Sequence, residues 1–211
     1  MLLEKEDWPA LVRFLEDQVI QKGRYSRRKV RLLANSYLVL SDSAAVMSLE
    51  NKAAIIRPSL VEANALVFGT ARILGKDLSG AVRFFEIHRE TVRHGMREWA
   101  SWYYAYSLLL TRQYDRAGEE FAILARLSKD RIICALSSFF LSEILYRTLH
   151  EKYNEYREIS DSGRGKVRRA LPSISYWNRE VSRIYTDIHV AALSRHIEET
   201  GRWLYGTIDR T

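Results

Sequence analysis

The chain has 211 residues, 47% of them hydrophobic, and its 33 Lys and Arg against 26 Asp and Glu give a net charge of +7. That apolar content excludes disorder by composition, and a chain of this length buries one sizeable core or forms one short stack of repeats. No apolar run approaches the roughly 18 residues of a membrane span, and the lone Cys134 excludes an internal disulfide and fits a reducing compartment.

The chain begins Met1-Leu2-Leu3-Glu4-Lys5-Glu6, with early acids and no apolar core of a secretory signal, so a cytoplasmic location is expected. Asp7-Trp8-Pro9 opens a helix, with Asp as N-cap and Pro tolerated in the first turn. Leu11, Phe14, Leu15 and Val19 give it an apolar stripe, and Gly23 ends it. Residues 1–25 therefore read as an N-terminal capping helix. Three helical hairpins are predicted next, over about 26–40 with 42–57, 59–74 with 77–94, and 97–112 with 114–128. Asp42 and Asp77 are candidate N-caps, Gly75 and Gly95 candidate helix stops, and Pro58 separates the first hairpin from the second. A long helix is expected from about Asp130 through Tyr156. Ser160-Asp161-Ser162-Gly163-Arg164-Gly165-Lys166 reads as a flexible loop, with 159–169 open to cleavage. A last helix starts near Leu171-Pro172-Ser173 and frays at Gly201 and Gly206. The chain is all-α in this reading, with residues 131–211 packing on the hairpin domain.

The hairpins repeat. Ala45, Ala81 and Ala117 stand 36 residues apart, and four residues after each comes Leu49, Phe85 or Phe121. The segment Ala65-Leu66-Val67-Phe68-Gly69-Thr70-Ala71 through Ala81-Val82-Arg83-Phe84-Phe85 resembles a tetratricopeptide repeat, and Trp102, Ala105, Tyr114, Ala117 and Phe121 match in the next copy. The first copy has Leu33 where a small residue belongs. The resemblance covers about 26–130 and implies a right-handed α-solenoid flanked by N- and C-terminal helices. It also implies that the first helix of each pair lines a groove for a protein segment. The groove residues would be Tyr37, Leu66, Val67, Thr70, Ile73, Trp99, Trp102, Tyr103 and Tyr106. The aromatic end has three candidate covers: the chain's own residues 171–199, a second copy forming a homodimer, or a foreign peptide or helix.

The charge is concentrated. Lys22, Arg24, Arg27, Arg28, Lys29 and Arg31 fall in one stretch and Arg164, Lys166, Arg168 and Arg169 in another, neither containing an acid. Without these ten the remainder is slightly acidic. Arg24, Arg27, Arg28, Arg31, Arg164, Lys166, Arg168 and Arg169 form a candidate patch for an acidic partner or anion. The alternative is a basic helical module that binds nucleic acid through 22–31 and 164–169. No metal or cofactor site is expected: His88, His94, His150, His189 and His196 lack ligand spacing, and no phosphate loop follows a strand. No nucleophile or acid–base pair stands out, so the expectation is a non-catalytic scaffold or adaptor in a larger assembly.

Overall fold

The computed structural model of the chain describes residues 7–92, 94–148, 152–185 and 188–206. The expected leading acids Glu4 and Glu6, and His150, fall outside them. Among the described residues every regular element is helical. The chain divides into two compact units, Met1–Ala100 and Ser101–Thr211. The boundary lies inside one helix, at residue 100.

In the first unit, α1 (Trp8–Glu16) starts where Asp7 Oδ1 accepts the Ala10 N–H at 3.1 Å, and a π-helical turn, Asp17–Gln21, extends it. Gly23 turns the chain at φ 62°, in the left-handed region where a side chain is strained. Ser26 caps α2 (Arg27–Val39), and α3 (Ser43–Ile56) follows. The helix expected over 59–74 is interrupted: α4 (Ser59–Glu62) stops at Ala63, and α5 (Ala65–Leu74) begins after Asn64. The buried Asn64 amide donates to the Leu60 carbonyl at 2.8 Å and so occupies an acceptor that an uninterrupted helix would use. The last helix of this unit is α6 (Leu78–His88). Neighbours in sequence pack together: α1 on α2, α2 on α3, α3 on α5 and α5 on α6. Gly95 is not the stop of α6; it lies in a 3-10 turn, His94–Met96, that leads into α7 (Arg97–Leu110).

In the second unit, α8 (Tyr114–Leu127), α9 (Arg131–Phe139) and α10 (Tyr153–Ala170) pack against one another. The long helix expected from Asp130 breaks instead, into a π-helical turn (Phe140–Ile144) and a 3-10 turn (Leu145–Arg147). The expected loop at 160–166 is overturned, because those residues lie inside α10. Small residues serve packing there. A Cβ on Gly163 would collide with Ser138 Oγ, and Ser160 Oγ donates to the Ser138 carbonyl at 2.7 Å, so α9 and α10 approach closely. The final helix is likewise three: α11 (Ile174–Ser182), α12 (Ile188–Ala191) and α13 (Ser194–Tyr205). Gly201 sits within α13, where a Cβ would lie 2.7 Å from Trp177 Nε1, and is no frayed end.

The three hairpin turns share one backbone. Ser41, Lys76 and Arg112 take φ of 60°, 62° and 62°. The next residue's N–H bonds back five residues each time: Asp42 to Tyr37, Asp77 to Arg72 and Gln113 to Leu108, all at 2.9 Å. The turn residue itself bonds back three, to Leu38, Ile73 and Leu109. This is the Schellman ending of a helix, and its last residue caps the next one, through the side chain at Asp42 and Asp77. The turns fall 35 and then 36 residues apart. The first copy is therefore displaced by one residue from the spacing expected. Val46, fully buried, is the counterpart of Ala81 and Ala117, whereas Ala45 is half-buried. Ala34, not Leu33, is the small residue matching Gly69 and Ala105, and all three are buried. A Cβ on Gly69 would collide with the Phe85 ring, which lies flush on the α5 backbone.

Candidate functional site

The aromatic face expected to line an open groove is interior. Tyr37, Leu66, Val67, Thr70, Trp99, Trp102 and Tyr103 are all buried, and Ile73 and Tyr106 partly so. Within the second unit Trp102 stacks on Tyr106 at 5.2 Å and meets Phe121 and Phe140 edge-on. The chain's own C-terminal helices close this cluster. Tyr103 OH donates to the His189 carbonyl at 2.6 Å, and Tyr106 OH lies 3.3 Å from His196 Nε2. These contacts come from residues 189 and 196, within the candidate cover 171–199. Burial lowers the His196 pKa, against the pull of Glu199 3.5 Å away. In the first unit Tyr37 OH donates to Glu16 at 2.7 Å, and burial first, then that carboxylate, raises its pKa.

The second basic stretch is half structural. Arg164 donates to the Trp203 and Leu204 carbonyls at 2.6 and 3.4 Å and lies over the Trp203 ring at 4.9 Å. Lys166 Nζ donates to the Ser128 carbonyl at 2.7 Å. Both cations thus sit at helix C-termini, where carbonyls lack partners and the macrodipole is negative. Arg168 and Arg169 are exposed on the same helix.

The first basic stretch borders a cleft of about 460 Å³ in the first unit, lined by Ser26, Arg27, Arg57, Ser59, Leu60, Glu62, Ala63 and Thr91. Arg57 is held by a 3.1 Å bond to the Tyr25 carbonyl and Arg31 by a 3.3 Å bond to the Ala63 carbonyl. Neither bond neutralises the guanidinium. Arg24 bonds the Gln18 side chain, Lys22 pairs with Asp17, and Arg28 is exposed. The sequence does not single out Arg57, which stands alone beside Pro58 and joins the basic segment only through the fold. Glu50 and Arg72 also escape the sequence reading. They form a part-buried pair at 2.8 Å, with Arg72 over the Phe84 ring, and burial still raises the Glu50 pKa.

Cys134 is buried, with Sγ 3.3 Å from the Ala125 carbonyl. Among the described residues no group of three His, Cys, Asp or Glu could hold a metal, and no helix is long and apolar enough to cross a membrane.

Residues 45–206 match the family model described as "Uncharacterised Treponema protein". The chain belongs to that family. An uncharacterized protein of Treponema pallidum (strain Nichols) is 30% identical over 143 residues, which are 68% of this chain and 45% of the relative. The match therefore spans less than half of that relative's length. No solved structure matches.

Proposed function

We propose that this chain is a non-catalytic, tetratricopeptide-like helical scaffold of the cytoplasm that holds a partner protein on the outer helices of its hairpins. The tetratricopeptide-like solenoid itself is part of the proposal, and three alike turns and the recurring buried small residue support it. One observation carries the choice of surface. Large aliphatic side chains stand exposed on the second helix of every hairpin: Ile55 is 86% exposed, Ile87 67%, Ile123 51% and Leu127 73%. Two pairs recur at matching places. Ile87 and Ile123 each lie eleven residues past the turn residue, and Ile56 and Leu127 each fifteen past it. Single exposed aliphatics are ordinary on a protein surface, but recurrence on equivalent helices favours a contact surface. The inner aromatic face is already occupied by the chain itself.

The test is a photo-crosslinking amino acid placed at Ile87, Ile123 or Leu127, with positions Arg83 and Arg168 as controls. A protein captured at Ile87, or at both Ile123 and Leu127, and lost on Ile87→Lys or Leu127→Lys respectively at unchanged melting temperature, supports the reading. No capture above the controls refutes it.

A further inference from the structure

The cleft beside α2 differs in kind from the aliphatic surface, and it deepens the scaffold reading on which this inference rests. Its lining brings together Arg27 and Arg57, the hydroxyls of Ser26, Ser59 and Thr91, and one carboxylate, Glu62. Arg57 comes from the end of α3 and Arg27 from the start of α2, thirty residues away in the chain. The Arg57 guanidinium is fixed in place by the Tyr25 carbonyl, a neutral acceptor. It is therefore oriented before any ligand arrives and keeps its full charge. Arg31 reaches the lining too, anchored on the Ala63 carbonyl, and Arg24, Arg28 and Lys29 flank Arg27 in the chain.

We infer that this cleft and its basic border form a receptor for an acidic segment of the partner protein. One Asp or Glu carboxylate enters between Arg27 and Arg57, and its neighbours run along the cations that precede and open α2. The extent of positive charge beyond the cleft argues for a segment over a single small anion. A protein segment is favoured over nucleic acid because residues 22–31 hold a single aromatic, Tyr25, which is partly buried, so successive bases would find no series of stacking surfaces beside the cations. Glu62 tunes the site: it repels the incoming carboxylate and so limits affinity.

The experiment is fluorescence anisotropy of a short labelled peptide of Asp and Glu, at low and physiological salt, with the full chain. Binding is expected, weakening with salt. Arg57→Ala should loosen it about tenfold, the worth of one charge-assisted contact. Arg57→Lys, which keeps the charge and one bond to Tyr25, should fall between. Glu62→Gln should tighten it a few-fold (on the order of 1 kcal/mol or less), a gain that no folding defect imitates. Arg168→Ala with Arg169→Ala should change nothing. Absence of peptide binding overturns the inference, as does indifference to both Arg57→Ala and Glu62→Gln. A single-stranded oligonucleotide of equal charge binding more tightly than the peptide would assign the cleft to nucleic acid. Full displacement of the peptide by inorganic phosphate at matched ionic strength would assign it to a small anion. Each of these leaves the crosslinking at Ile87, Ile123 and Leu127 free to succeed or fail by itself.

Discussion

A single hydrogen at Gly69 decides how close Phe85 lies to α5. Gly69→Ala gains about 1 kcal/mol of helix propensity but drives a methyl into a fully buried ring. Overpacking of this kind costs about 1–3 kcal/mol, and the ring has nowhere to retreat. A net fall in melting temperature is expected, measured by circular dichroism; an unchanged or raised value would remove Gly69 from the packing argument. Histidines set a second residue-scale expectation. Burial lowers the pKa of both His88 and His196 from the ordinary 6.5. The unfolded chain then takes up protons that the folded chain resists, so their contribution is intact above pH 6.5 and is lost as pH falls below it. Melting temperature should drop between about pH 7.5 and about pH 5.5, and His88→Phe with His196→Phe should flatten the drop. Glu50 works the other way: burial raises its pKa, so acid relieves its cost as pH falls toward 4.5.

Among the elements, the turns are the most informative. Ser41, Lys76 and Arg112 are side-chain-bearing residues held in a left-handed conformation, which costs about 1 kcal/mol each relative to glycine. Lys76→Gly should therefore raise stability by a few tenths to about 1 kcal/mol, read as a shifted denaturation midpoint. Asp77→Ala should lower it by about 0.5–2 kcal/mol, because Asp77 Oδ1 accepts the Gly80 N–H at 3.0 Å. The hairpin helices α2, α3, α6, α7 and α8 were legible in the sequence, since apolar period and Asp caps are local signals. The identity of α10 was not. Ser160, Gly163 and Gly165 carry the composition of a turn, and only the approach of Ser138 from α9 shows that small size is what matters. Trypsin should accordingly spare Arg164 and Lys166, and amides over 160–167 should exchange slowly.

Across the whole chain, the covering of the aromatic face is a long-range fact. Tyr103 reaches His189 and Tyr106 reaches His196 across 86 and 90 residues. Periodicity names a buried face but carries no information about which distant segment buries it, so the expected groove residues were legible and their openness was not. Ending the chain after residue 185 should uncover Tyr103 and Tyr106 and raise the binding of a dye that reports exposed apolar surface. Unchanged dye binding and melting would mean that the cover contributes little. The basic segments behave alike: the charge runs are visible in the sequence, but Arg164 serves the end of α13 while Arg57, outside any run, serves the cleft. The repeated turn has one last consequence. Leu40-Ser41-Asp42, Gly75-Lys76-Asp77 and Thr111-Arg112-Gln113 have no residue common to all three, yet they trace the same path. The shape is written in main-chain bonds and leaves the letters free to drift. Comparison by letters alone then loses the periodicity long before the backbone does, and one-residue offsets such as that of Ala34 hide it further.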